Sequence, residues 1–374
     1  MELATEDQFR LNVLLASKPL AVRIDESRLI VHGLSDKGEA RIPLHPTGRL
    51  EQYVRAVKEL ISGYILGSPG GYPVYLRRWT RMGQMRDQSL EQLLMLGEPE
   101  AVIAAVSSPG LTEELARRAW WAMEDAENAR RMLENPGIAQ SAMGAIFVDY
   151  LLEHLPFETE TDTVTASVRL ILQSGRIDDA EREELWMKSA RKQACLVGFL
   201  AAIPDRLPRP VPARSDADQL GVALQAEIDA GNAVARLLRR LVGAQGQTYL
   251  KTVSAVLAKP PNQDVVIGVF DCLRDYFAPV RPGGDPRLVL DELVTDGQRF
   301  VAAAQTPGPV RACLAAAPSI HNDLIAMRIL SGTGYSLIRP VLSDPTTLGS
   351  LMRRKLRAVI EPLQAQIQWL CGDD

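Results

Sequence analysis

Histidine and cysteine are both rare in this chain, with four of each among 374 residues. Cys195, Cys272, Cys313 and Cys371 are widely scattered and form no C-x-x-C pair. That excludes the common zinc spacings and a paired redox thiol, and it fits a reduced cytoplasmic protein. His32, His45, His154 and His321 have no partner at a recognised ligand spacing. The expectation is a chain with no bound metal and no cofactor. Also missing are a G-x-S-x-G elbow, an H-E-x-x-H pair and a G-x-x-x-x-G-K-[ST] phosphate loop. Without them the common hydrolase, zinc-protease and nucleotide-loop signatures do not apply.

Positive charge is not in surplus: the formal net charge is −4 and the isoelectric point about 5.8, so no nucleic-acid partner is expected. The most apolar uninterrupted run, residues 194–203, is far shorter than the roughly 20 residues that span a bilayer, so no membrane insertion is expected. Glu2, Glu6 and Asp7 stand where a signal peptide would carry basic residues. Aromatic residues make up only 5% of the chain, while Ala, Leu and Arg are plentiful. Unbranched side chains lose little rotamer freedom in a helix, so the composition favours helices over sheets.

What is present reads as a mainly α protein, 46% hydrophobic and 24% charged, able to bury a substantial core. Thr5 and Gln8 have the spacing of a capping box for a first helix that ends before Pro19. Alternation at Val22 and Ile24, a turn at 25–27, a second strand over 29–32, a loop over 33–38 and a third strand at 41–42 predict a small antiparallel meander. From Leu50 the apolar residues recur at three- and four-residue steps, which is helical spacing.

Pro109-Gly110 and Pro136-Gly137 lie 27 residues apart, as do Pro318 and Pro345, with helical stretches around them. Helix, proline turn, helix is how an α-solenoid reads; an irregular helical array is the alternative, and the sequence leaves both open. Pro204, Pro208, Pro210 and Pro212 cannot continue a helix and predict an extended linker. The expected domains are residues 1–48 (helix and meander), 49–203 (first helical domain), 204–216 (linker) and 217–374 (second helical domain).

Three segments are candidates for function. Residues 67–86 read GSPGGYPVYLRRWTRMGQMR. A glycine turn exposes backbone N–H groups, and guanidinium groups follow close behind, which are the ingredients of an anion site. The candidate residues are Gly70, Gly71, Tyr72, Arg77, Arg78, Trp79 and Arg81; the plainer reading is a turn followed by a packed, solvated helix. Arg353, Arg354 and Arg357 form a second basic surface, read either as a solvated helix face or as a dock for an acidic partner. Cys371, close to Asp373 and Asp374, is a candidate sulfur carrier, although those carboxylates disfavour its thiolate.

The strings LNVLLASKPLAVRIDES, GSPGGYPVYLRRWTRMGQ, LGEPEAV and LARRAWWAM, all within the first 155 residues, resemble the S-protein family (DsrS) of the dissimilatory sulfur-oxidation (Dsr) gene clusters of sulfur-oxidising bacteria. The resemblance implies a cytoplasmic accessory protein that supports oxidation of stored sulfur. It implies no catalytic residues, and other sulfur-pathway proteins as partners. The rival expectation is a sulfur carrier or an anion-binding enzyme using Cys371 or the 67–81 segment.

Overall fold

The computed structural model describes residues 3–67, 87–281, 288–303, 308–342 and 349–372. Among these the protein is mainly helical, with one three-stranded antiparallel sheet near the N-terminus. The chain forms two compact units, Met1–Phe157 and Glu158–Asp374.

The first unit opens with helix α1 (Thr5–Ala16), followed by strands β1 (Ala21–Asp25), β2 (Ile30–Ser35) and β3 (Gly38–Pro43) and helix α2 (Leu50–Leu66). The meander was legible in the sequence, but the expected loop over 33–38 is mostly strand. β2 runs to Ser35 and β3 starts at Gly38, in register Ser35↔Gly38 and Ile30↔Pro43. Nor does the expected capping box form: the N-cap is Ala4, without a side-chain cap, and Thr5 is already helical. Leu11, Leu14, Leu15, Val22, Val31, Tyr53, Val57 and Ile61 form the core between α1, the sheet and α2.

Asp7 is buried at one edge of that core. It accepts from the His45 backbone N–H (2.6 Å), the His45 Nδ1 (2.9 Å) and the Tyr53 hydroxyl (2.6 Å). Burial alone would raise its pKa, but these donors outweigh it and hold the carboxyl below its ordinary value. Helices Asp87–Leu94, Pro99–Val106, Glu113–Ala122, Ala126–Leu133, Pro136–Gln140 and Ala142–His154 complete this unit. They pack mostly on their next and next-but-one neighbours, as helical hairpins do. The proline spacing does not mark equivalent turns, however: Pro109 lies in a loop, whereas Pro136 begins a short helix.

The second unit is built around the Gln193–Ala202 helix, which explains the most apolar run in the sequence. Being apolar all round, it is wrapped by the Thr161–Gln173, Ala244–Ala258 and Gln263–Tyr276 helices. Gly198 permits the closest approach, since a Cβ there would meet Val168 Cβ at 2.7 Å. The long Gly349–Cys371 helix packs on the Ala244–Ala258 and His321–Leu330 helices, so this unit is an irregular array rather than a linear stack.

The proline-rich segment 204–216 is not a linker. It lies inside the second unit, and the chain divides at Phe157/Glu158 instead. The prolines carry no N–H, but the residues among them find acceptors on the neighbouring helices. Leu207 N donates to Gln245 Oε1 (2.9 Å), Val211 N to Thr248 Oγ1 (2.9 Å) and Arg214 N to Val242 O (2.9 Å). Extended backbone is therefore compatible with a path pinned to its neighbours, although only Leu207 and Pro208 in it are buried.

Candidate functional site

In the first unit, three segments distant in sequence meet beside the sheet. Arg23 on β1 donates from Nη1 to the Trp121 carbonyl (3.2 Å), and its guanidinium stacks over the Trp121 ring at 5.0 Å. Gly97, just past the Asp87–Leu94 helix, forms a bridge with Arg23. Its φ of +70° suits glycine, and a Cβ there would meet Ile24 Cγ1 at 2.9 Å. Trp121, on the Glu113–Ala122 helix, is half-buried and donates from Nε1 to Glu39 Oε2 (3.4 Å).

Glu39 on β3 gathers the polar groups of the site. His32 Nδ1 lies 2.6 Å and Arg41 Nε 3.1 Å from its Oε1. The His32 hydrogen bond is the largest influence on Glu39 and holds its carboxyl below the ordinary range, with Arg41 and Trp121 adding to it against burial. A groove of about 570 Å³ opens here, lined by Arg23, Asp25, Arg28, His32 and Arg41 among others. Counting Glu39, three guanidinium groups face two carboxylates, so the groove is electropositive. Its chemistry suits recognition of an acidic segment, because guanidinium forks bind carboxylates at two points.

Of the sites expected from sequence, Gly70, Gly71, Tyr72, Arg77, Arg78, Trp79 and Arg81 lie outside the described residues. Gly67 is described, and at φ +67° it ends α2 in the left-handed conformation. Arg353 and Arg357 come together over a shallow groove of about 320 Å³ beside Lys259 and Pro260; Arg354 does not line it. Arg353 donates to the Pro260 carbonyl (3.4 Å) and Arg357 pairs with Glu361 (3.5 Å). Cys371 ends the last helix and is the least buried cysteine, the other three being buried. Burial pushes the Cys195 thiol up, that of Cys272 to about 12 and that of Cys313 to about 11. Among the described residues no three His, Cys, Asp or Glu side chains gather as a metal site would require, and no helix is long and apolar enough to cross a membrane.

Sequence reasoning missed two features. The first is the convergence of Arg23, Gly97 and Trp121. Its one available signal was that all three lie in the strings that carry the family resemblance. The second is a cleft of about 790 Å³ in the second unit, walled by Arg274, Arg281, Arg339 and the 331–336 segment. That segment reads Ser-Gly-Thr-Gly-Tyr-Ser, a composition that could have marked it. The chain matches no protein-family model, and comparisons with curated proteins and with solved structures find no significant relative.

Proposed function

We propose that this chain is a cytoplasmic accessory protein that supports the oxidation of stored sulfur by binding other proteins of that pathway. The supporting observation is the groove at Arg23 and Trp121. Three of the strings that resemble the Dsr S-protein family, 11–27, 96–102 and 115–123, bring Arg23, Gly97 and Trp121 together, and Arg23 lines the electropositive groove beside them. A surface built from the segments that carry the resemblance is the natural place for a shared function, and its excess of guanidinium selects an acidic partner. The buried, up-shifted thiols of Cys195, Cys272 and Cys313 favour binding over thiolate chemistry for these three residues.

Affinity isolation of the tagged chain from sulfur-oxidising cells tests the reading, with the Arg28→Glu, Arg41→Glu double variant as the control. Both side chains are largely exposed, at 79% and 70%, so folding should survive. The expected result is a sulfur-pathway protein retained by the wild type and lost from the variant. Equal recovery with both would place the interaction elsewhere. A Cys371→Ser variant that retains the partner but loses sulfur oxidation would turn the assignment to a sulfur carrier.

A further inference from the structure

The second unit contains a buried positive charge whose hydrogen-bonding capacity is not fully used. The Arg281 side chain is only 7% exposed. Nε donates to Ser331 Oγ (2.9 Å), and Nη2 donates to Asp296 Oδ2 (2.7 Å) and to the Arg328 carbonyl (2.9 Å). Nη1 is shielded from water and has no partner. Asp296 is shared, because Arg328 binds it through Nε (2.8 Å) and Nη2 (3.1 Å). Two guanidinium groups around one carboxylate leave one positive charge uncompensated. Burial first, and repulsion from Arg328 second, lower the Arg281 pKa. A buried donor without an acceptor is costly to keep, and a charged one more so.

Arg281 belongs to the wall of the 790 Å³ cleft, and Arg274 and Arg339 stand in the same wall. Among the described lining residues Asp271 is the only carboxylate, set against three arginines. Arg274 is engaged by Asp271 at 2.6 Å and by Asp275 at 3.6 Å, whereas Arg339 is exposed, so Arg281 and Arg339 are the cations left to a ligand. The rest of the wall mixes the hydroxyl residues Ser331, Thr333 and Ser336 with glycine and apolar or aromatic groups. Tyr335 and Val289 are 57% and 41% exposed, large uncovered hydrophobic groups beside a cationic floor. Gly332 makes the arrangement sterically feasible, since a Cβ there would lie 2.9 Å from Arg281 Nη2.

We propose that this cleft binds a phosphorylated small molecule with a flat ring, the chemistry of a nucleoside monophosphate. Arg281 and Arg339 suit a phosphomonoester, which carries about −1.5 to −2 near pH 7. The volume lies in the roughly 300–1,000 Å³ range of small-molecule sites. The exposed phenol ring of Tyr335 offers a stacking surface for a base, an interaction every flat ring can make. A phosphate oxygen that reached Nη1, after a small movement of the side chains covering it, would satisfy the unpartnered donor.

The test is calorimetric titration of the purified full-length chain with AMP, inorganic phosphate and adenosine at low salt. AMP should bind saturably at one site, and more tightly than either fragment. Arg281→Met should weaken it at least about tenfold, as loss of a charged contact does. Arg339→Gln and Tyr335→Ala should each weaken it severalfold. Both of those side chains are exposed, so these variants decide the matter if Arg281→Met fails to fold. The proposal is overturned if AMP shows no saturable binding, if phosphate alone binds as tightly as AMP, or if the two rim variants bind AMP as wild type does. No sulfur-pathway partner takes part, so this result is independent of the groove at Arg23.

Discussion

Two buried arginines of the second unit solve the same problem with opposite stoichiometry. Arg214 is 8% exposed and meets two carboxylates. Its Nε and Nη2 hold Asp216 at 2.7 and 3.0 Å, and Nη2 also reaches Asp323 at 2.7 Å. Trp369 Nε1 takes the other Asp323 oxygen at 3.0 Å. Arg281 is as deeply buried, but it shares a single carboxylate with a second arginine. Burial acts to lower both pKa values. At Arg214 the two aspartates outweigh it and the pKa rises, whereas at Arg281 the repulsion of Arg328 reinforces it and the pKa falls. Depth of burial therefore does not separate a structural arginine from one available to a ligand; the ratio of partners does.

The comparison breaks most readily at Arg214. Arg214→Met would leave Asp323, which is 5% exposed, without its cation. Removing one partner of a buried pair costs about 3–5 kcal/mol. At about 2–4 °C per kcal/mol, the melting temperature of the second unit should fall by roughly 6–20 °C. Differential scanning calorimetry reads this directly, and a shift near zero would remove the structural role of the pair.

Asp7 supplies a buried charge in the first unit whose partners balance it. Asp7→Asn keeps the shape but removes an acceptor among three donors, with an expected cost of about 1–3 kcal/mol at neutral pH. Because the folded pKa lies below the ordinary 3.8, the stability this carboxylate contributes is present above that value. It is lost as pH falls through the folded pKa. Denaturant midpoints measured from neutral pH downward should therefore drop less steeply below about pH 4 in the variant than in the wild type. Parallel curves would mean that another carboxylate governs the acid limb.

Much of the fold was legible because it depends on local pattern. The apolar steps from Leu50 place α2. The meander follows from alternation at Val22 and Ile24. The domain boundary did not follow, because proline density reports only that a segment is not helical. Whether it is free or pinned depends on acceptors such as Gln245 and Thr248, 38 and 37 residues away. Of the basic surface expected from Arg353, Arg354 and Arg357, the first and last line one groove and Arg354 does not. The Arg23 groove and the Arg281 cleft were not legible, since each joins residues 50 or more positions apart, such as Arg23 with Trp121 and Arg281 with Ser331.

Gly332→Ala sharpens the comparison from the cleft side. The added methyl would sit 2.2 Å from Leu293 Cδ2 and 2.9 Å from Arg281 Nη2. Overpacking of this kind costs about 1–3 kcal/mol. The loss should appear in the denaturant midpoint of the second unit, together with weaker AMP binding as Arg281 is displaced. Full stability with full binding would show that the wall yields more easily than its contacts imply.

The smallest expected effect is at Arg281 itself. Arg281→Met removes one of two guanidinium groups from a network that holds one carboxylate. Asp296 keeps both bonds from Arg328, and Ser331 Oγ still donates to the Arg328 carbonyl at 2.7 Å. The methionine fills the space of the arginine stem without bringing an uncompensated charge into the interior. Replacing buried charge by apolar volume is often neutral or stabilising, so the expected change in unfolding free energy is below about 1 kcal/mol in either direction. Set against Arg214→Met, the same substitution at equal burial then differs severalfold in stability, measured on the same chain by the same denaturant titration. A loss as large as that at Arg214 would mean that the second carboxylate makes no difference and that Arg281 is held for stability. A small loss, combined with the tenfold weakening expected for AMP, would separate binding from folding at this side chain.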